Sequence, residues 1–313
     1  MINKKGALEF SFTWIFAIIA GMFILFLAIY GVTKFMNISE TSKTTQTAVD
    51  IGMLTNPLES SFDSSQRSMI STSAETRIYI GCTNNTFFGK QTIKTSEKTY
   101  NKWSDTSASV SFPNKYIFAN DYVEGKDFYL FSKPFEFPFK VADLIYLTSS
   151  KDKYCFIDAS RDIEEEIEDL IGGNASETEN LFLEDCPSDS INVCFNGGKN
   201  CDVEVYATYV EKNGEKMYYE GDALMYAAIF STKENYECQV SRLMKRISQL
   251  SDIYNDKSKF VLQNTGCDST LDGRLVQLTN LVKNIKGSEN IDTISSLSEE
   301  IQNINKYLEC KLW

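Results

Sequence analysis

The segment from Phe10 to Val32 constrains this chain more than any other, because it contains no charged residue. As a helix rising about 1.5 Å per residue, its roughly 23 residues are long enough to cross the ~30 Å hydrocarbon layer of a bilayer. A cleaved secretory signal has a shorter apolar core followed by a small-residue cleavage site. A helix buried in a soluble core is a weaker rival, since such helices are rarely apolar on every side. We therefore predict a transmembrane helix over residues 10–32.

Charged residues at the start of the chain predict the orientation of this helix. Lys4 and Lys5 lie on a short arm, residues 1–9, and basic residues beside a span remain in the cytoplasm. The expected location is the cell membrane, with a single pass, a cytoplasmic N-terminus and an extracellular C-terminal ectodomain. Asn-x-Ser/Thr sequons at Asn37, Asn84 and Asn174 are glycosylation candidates that fit this external exposure.

Cysteines support the same orientation, because all eight follow the apolar segment. An even number on one side of a membrane helix indicates disulfide bonds formed in an oxidising compartment. Zinc is the competing interpretation, but the C-x2-C pairs that zinc sites favour are absent from the sequence.

Two disulfide pairs are expected from local arguments. Cys194 and Cys201 flank a Gly-Gly turn, and Cys267 and Cys310 lie at matching levels of an up-and-down helix layer. The pairing of the other four is left open: Cys82, Cys155, Cys186 and Cys238.

The residues before the apolar helix resemble a known processing signal. The run Lys4-Lys5-Gly6-Ala7-Leu8-Glu9-Phe10, followed by Trp14 and the long helix, resembles the class III signal of archaeal type IV pilin-like proteins. The resemblance implies cleavage by a prepilin peptidase after Gly6, which leaves Ala7 as the first residue. It also implies that Glu9 pairs with the N-terminal amine of a neighbouring subunit as the helices bundle. From the residues alone, Glu9 is a carboxylate at the headgroup interface.

The rest of the chain predicts an α+β fold, in which a long N-terminal transmembrane helix precedes a β-rich, disulfide-containing ectodomain and a C-terminal helical layer. Residues 33–57 are a helix extension or a tether, residues 58–233 form the β-rich part, and residues 234–313 contain three helices. Residues 160–173 form an amphipathic helix. We expect two hairpins, one closed by Cys194–Cys201 and one turning at Asn213-Gly214. The C-terminal helices pack on the sheet or bind a partner.

Composition limits the classes of function. The chain contains no histidine, so the commonest general base and metal ligand are missing. A net charge of −12 without a basic stripe excludes a nucleic-acid binder, and no sequence motif indicates a cofactor.

Three functions stay open at this stage. The leading one is a pilin-like surface protein, either a minor pilin or an adhesive component, without enzymatic activity. Its partners would be the lipid bilayer, like subunits through the N-terminal helix, and a prepilin peptidase. The alternatives are a monomeric anchored ectodomain that binds a partner or envelope polymer, and an extracytoplasmic enzyme that uses carboxylates.

Overall fold

A single long helix begins the part of the chain that the structure describes. The structure is a computed structural model, and it describes residues 12–54, 66–85, 87–171, 180–183, 185–198 and 200–313. Helix α1 covers Phe12–Leu54 without interruption, so residues 33–54 continue the apolar helix, and residues 55–57 lie outside the described residues. Pro57, which disfavours helix at the residue before it, lies outside the described residues.

The first sheet contains seven strands in the order β3-β2-β1-β6-β7-β5, with β4 paired to β2. Its strands are β1 (Gln66–Thr83), β2 (Lys90–Thr99), β3 (Lys102–Trp103), β4 (Val110–Phe112), β5 (Ile117–Phe118), β6 (Tyr122–Glu136) and β7 (Lys140–Ser149). The pairs are antiparallel except for β5 with β7. In β1, Ile78 and Ile80 are buried, whereas Arg77 and Tyr79 point to the opposite face.

The second sheet contains six strands in the order β13-β12-β11-β10-β8-β9. Its strands are β8 (Tyr154–Ile157), β9 (Leu181–Phe182), β10 (Ile191–Phe195), β11 (Val203–Val205), β12 (Tyr209–Lys212) and β13 (Glu215–Tyr218). The predicted turn at Asn213-Gly214 is confirmed, because both residues have positive φ angles, 55° and 75°. The amphipathic helix is also present as α2 (Arg161–Ile171), with Ile167 and Leu170 buried.

The hairpin expected at Cys194–Cys201 is wrong, because β10 and β11 run parallel. The connection turns back on itself through three residues with positive φ: Asn196, Gly197 and Asn200. The amide of Asp202 then donates to the Asn192 carbonyl over 2.9 Å, so β11 starts again beside the beginning of β10. The loop therefore returns the chain to the level at which β10 begins, so that β11 runs in the same direction as β10. A hairpin turn would have reversed the direction of the chain.

Helix α3 (Gly221–Phe230) lies within the segment that the sequence predicts to be β-rich, so that prediction is incomplete there. Every side chain from Ala223 to Phe230 is buried. The Phe230 ring lies 5.5 Å from Phe131 of the first sheet and 4.9 Å from Tyr154 of the second. A helix enclosed between two sheets has no polar side, and its sequence lacks the periodicity that identifies surface helices.

The C-terminal region is helical, as predicted. It contains α4 (Lys233–Thr265), α5 (Asp272–Val282), a short 3-10 helix (Ser288–Asn290) and α6 (Asp292–Tyr307). Helix α4 begins after Thr232, whose hydroxyl accepts from the Asn235 amide, and ends at Gly266 with φ 73°. The apolar residues of these helices join the same core as α3 and the two sheets, as the packing alternative expects.

All eight cysteines form disulfide bonds, which favours the disulfide interpretation over zinc. Cys194–Cys201 and Cys267–Cys310 are the two pairs expected from the sequence, with Cα atoms 5.8 and 6.1 Å apart. The four cysteines left open pair as Cys82–Cys238 and Cys155–Cys186. The first of these joins strand β1 to helix α4, which are far apart in sequence.

Candidate functional site

The residues predicted for processing and assembly lie outside the part of the chain that the structure describes. Gly6, Ala7 and Glu9 fall in residues 1–11, and Asn174 falls in residues 172–179, so these lie outside the described residues. Asn37 lies within helix α1. Asn84 is exposed in the loop after β1, where a glycan could be attached.

Among the described residues, exposed large apolar side chains are concentrated in the first half of α1. None of the residues Trp14–Val32 is buried, and the side chains of Trp14, Met22 and Phe26 are about two-thirds exposed. An apolar patch of this extent requires a cover such as lipid or other helices. The helix is long and apolar enough to span a membrane, a property that an N-terminal signal sequence shares.

The second half of α1 packs against the head, the folded part from β1 onward. Ala48 is fully buried in a core with Ile78 and Ile93, on the buried face of the first sheet. The ring of Phe112 in β4 covers Gly52 so closely that a Cβ atom there would lie 2.0 Å from the ring carbon Cζ. Glycine is therefore required for the helix backbone to approach β4. One helix thus has an uncovered half and a half integrated into the head.

The outer face of the first sheet carries a chain of ion pairs. Lys98 Nζ lies 2.7 Å from Glu75, Lys151 Nζ lies 2.5 Å from Glu75 and 2.8 Å from Glu124, and Arg77 Nε lies 2.6 Å from Glu124. Hydrogen bonds from Lys151 and then Lys98 lower the pKa of Glu75 to about 2. The pKa of Glu124 is also lowered, chiefly by Lys151. Both carboxylates are therefore ionised at neutral pH.

Aromatic side chains border this ion-pair chain. The Arg77 guanidinium lies 4.0 Å from the ring centroid of Trp103 and 5.2 Å from that of Tyr122. Tyr100 projects from the β2–β3 turn with 97% of its surface exposed. Exposed aromatic rings beside charged and polar groups can bind a polar ligand that also has an apolar face.

A second polar cluster lies where the two sheets meet. The Lys212 ammonium at the end of β12 lies 3.1 Å from Asn120 Oδ1, 3.4 Å from the Ile229 carbonyl and 3.3 Å from the Ser231 carbonyl. Burial lowers the pKa of Lys212 to about 8. Burial also raises the pKa of Asp152, which lines the same small cavity as Asn120.

This second cluster could not be found from the sequence. Lys212 and Asn120 are 92 positions apart, and no motif connects them. Helix α3 contacts both β12 and β5, and this packing brings the two residues together. The sequence gives only one partial indication of this cluster, namely a lysine that ends a strand next to the Asn213-Gly214 turn.

Arg242 is the largest fully buried charged side chain among the described residues, and its role is structural. Its guanidinium donates to the carbonyls of Lys115 and Pro113 over 2.9 and 2.8 Å, and to Gln239 over 2.6 Å. These bonds connect α4 to the segment before β5. A buried charge with this many acceptors is satisfied within the protein and does not need a ligand.

Within the described ranges, no group of three or more His, Cys, Asp and Glu side chains converges as metal ligands would. No protein-family model, curated protein or solved structure matches the chain. The functional argument therefore depends on the chain's own geometry.

Proposed function

We propose that this chain is a membrane-anchored, pilin-like surface protein, acting as a minor filament subunit or an adhesive component with its head outside the cell. One observation carries the proposal: a 43-residue helix has an uncovered apolar first half, while its second half packs on a β-sheet head. The first half can lie in a bilayer or in a bundle of like helices. The rigid connection would hold the head at a fixed angle to either.

Two features of the head support an extracellular location. Four disulfide bonds need an oxidising compartment to form and persist. The exposed sequon at Asn84 is available for glycosylation. Both agree with the orientation expected from Lys4 and Lys5.

The first experiment tests processing and orientation together. Mass spectrometry of the mature N-terminus should find Ala7 as the first residue. Protease added to intact cells should degrade the head. An uncleaved N-terminus would remove the peptidase from the list of partners, and full protection of the head in intact cells would reverse the orientation.

A second experiment tests assembly. Glu9→Ala should reduce recovery of the protein in sheared surface filaments while membrane insertion continues, because the sequence would lose its only acidic residue near the apolar run. Glu40→Ala, in helix α1 beyond the apolar segment, is the matched control. Equal filament recovery for wild type and Glu9→Ala would leave a monomeric anchored ectodomain as the better proposal.

The outer face of the first sheet favours a binding role for the head as the second candidate. Arg77, Trp103, Tyr122 and Tyr100 offer aromatic rings and charge on one exposed side. An envelope polymer such as a polysaccharide matches that chemistry. Trp103→Ala should then weaken binding of the head to isolated envelope material, whereas substitution of the exposed Phe87, at the end of another loop, should not.

A carboxylate-dependent enzyme has less support. An acid–base pair needs two carboxyl groups whose environments push their pKa values apart. Glu75 and Glu124 are joined by Lys151 and both have lowered pKa values. They match an ion-pair network better than a catalytic pair.

A further inference from the structure

Basic residues are concentrated in the first three strands of an acidic protein. The chain as a whole has a net charge of −12, yet residues 66–103 contain six basic residues and only two acidic ones. No run of basic residues is visible in this segment, because Lys90, Lys94 and Lys98 are four positions apart. Residues four positions apart lie on one face of a strand. Strand β2 therefore forms a basic stripe, defined by these three lysines, that the sequence does not display.

The basic stripe lies on the outer face of the first sheet, opposite the face that α1 covers. Lys90 and Lys94 are exposed, whereas the alternating residues Gln91 and Ile93 are buried. Ile93 belongs to the core that also contains Ala48 of α1. At about 3.3 Å per residue, successive lysines of the stripe are ~13 Å apart along the strand.

Aromatic side chains lie beside the cations of the stripe. Lys94 is opposite Tyr79 of β1, and Tyr79 is opposite Tyr122 of β6, with the two ring centroids 5.8 Å apart. Lys98 is opposite Trp103 of β3. Each of these positions therefore combines an ammonium group with a ring that has an apolar face.

From this arrangement we propose that the outer face of the first sheet binds an acidic polysaccharide whose sugars carry carboxylate groups. The proposal rests on the binding role suggested above for the head, and it names the ligand class. Lys90 and Lys94 would bind the carboxylates of the polymer. Both are exposed, and neither forms an ion pair with a carboxylate in the described part of the chain. The rings of Tyr79 and Trp103 would cover the apolar faces of the sugars.

A hollow at the end of the basic stripe offers room for sugar units. Its volume is about 910 Å³, within the range of small-molecule sites, and its lining includes Glu75, Lys98, Tyr100, Lys126 and Lys151. The Glu75 carboxylate accepts from Lys98 over 2.7 Å and from Lys151 over 2.5 Å. An ionised carboxylate can accept about four hydrogen bonds. Glu75 therefore keeps acceptor capacity for sugar hydroxyl groups, which donate.

A nucleic acid matches this face less well. Single-stranded nucleic acids also bind basic grooves with aromatic rings, but their affinity depends on neutralising closely spaced phosphates. The lysines of the stripe are ~13 Å apart, and the ionised Glu75 and Glu124 lie on the same face. Both carboxylates repel phosphate but accept hydrogen bonds from hydroxyl groups. A polymer with many hydroxyls and fewer anionic groups fits this combination.

The test is isothermal titration calorimetry of the full-length protein in neutral detergent. The probes are polygalacturonate, which carries one carboxylate on each sugar, uncharged dextran, and single-stranded oligothymidylate. We expect binding to polygalacturonate that weakens between about 50 and 300 mM salt, because salt screens exposed charges. We expect no binding to dextran and weaker binding to oligothymidylate.

A pair of double variants locates the site. Lys90→Gln with Lys94→Gln should weaken binding to polygalacturonate by about tenfold, because two charge contacts are lost. Lys216→Gln with Lys259→Gln removes the same charge from exposed positions in β13 and α4 and should bind like the wild type. Thermal midpoints establish that both variants are folded. An equal loss of affinity in both would overturn the basic stripe as the site.

The remaining outcomes separate this proposal from the binding role on which it rests. Dextran bound as tightly as polygalacturonate would overturn the acidic ligand, and tighter binding of oligothymidylate would replace the polysaccharide with a nucleic acid. Polygalacturonate could fail to bind while Trp103→Ala still weakens binding to isolated envelope material. The ligand class would then be wrong and the binding role would stand. Failure of both measurements would overturn both proposals.

Discussion

Two helical segments in the described part of the chain are apolar on every side, yet they have opposite surroundings. Residues Trp14–Val32 of α1 are not covered by any other described residue, whereas α3 is buried from Ala223 to Phe230. Length separates them. The ten residues of α3 fit between two sheets but are too few for a bilayer, which needs about 20. The apolar part of α1 is long enough to cross a bilayer and is not buried, so lipid or like helices must cover it.

The largest expected effect comes from a charge inside α3. Leu224 is fully buried, so Leu224→Asp should destabilise the head by more than about 3 kcal/mol through an uncompensated buried charge. Chemical denaturation followed by near-ultraviolet circular dichroism would measure this loss. Leu224→Met keeps the volume and should cost less than about 1.5 kcal/mol. A head equally stable with Asp and Met would show that α3 is not enclosed.

The same substitution in α1 should leave the head intact. Leu25 is 61% exposed near the middle of the apolar half, so Leu25→Asp removes no contact with the sheets. A carboxylate there opposes membrane insertion by about 2.5–3.5 kcal/mol, and less protein should resist alkaline extraction from membranes. Leu25→Ala is the control. Loss of head stability in Leu25→Asp would mean that this half of α1 also packs on the head.

A smaller effect is expected where α1 meets the head. Gly52→Ala puts a methyl group against the Phe112 ring and should cost about 1–3 kcal/mol by overpacking, seen as a lower thermal midpoint. Gly31→Ala lies in the same helix with nothing within 4 Å, and both substitutions gain helix propensity equally. Identical thermal midpoints for the two variants would show that α1 does not pack against the head at Gly52.

The smallest effect belongs to the exposed ion pairs, far from either apolar helix. The pKa of Glu75 falls from an ordinary 4.5 to about 2 in the folded head. A lowered pKa stabilises the fold above pH 4.5, and this contribution disappears as the pH falls toward 2. Glu75→Gln should therefore lower the thermal midpoint slightly at pH 7, and the difference should vanish near pH 2. If the difference in thermal midpoint stayed constant between pH 7 and pH 2, the ionised Glu75 carboxylate would not be its source.

Local patterns in the sequence predict most elements of this fold. The uncharged run that ends at Val32 predicts the long helix, and the Asn213-Gly214 turn is identified by its two residues alone. Helix α3 is not predicted from the sequence, because its continuous apolar run indicates a buried segment but does not distinguish a helix from a strand. The parallel course of β10 and β11 escapes because it depends on a hydrogen bond between Asp202 and Asn192 that no short motif reveals.

Contacts between residues that no turn or pair of neighbouring helices connects cannot be deduced from the sequence. The pairing of Cys82 with Cys238 and the meeting of Lys212 with Asn120 follow from how the sheets and helices stack. Eight cysteines allow about 105 pairings. The two pairs expected from the sequence are those that a single turn or a pair of neighbouring helices determines, such as Cys194 with Cys201.

The disulfide between β1 and α4 also imposes an order on biosynthesis. Cys82 and Cys238 are 156 positions apart, and a chain that leaves the ribosome N-terminus first presents Cys82 long before its partner. In that interval Cys155, Cys186, Cys194 and Cys201 emerge, and any of them can capture Cys82 by thiol–disulfide exchange. Correct maturation then depends on an isomerase or on rapid closure of the two short loops. A cell deprived of its disulfide isomerase should accumulate mispaired forms that contain Cys82.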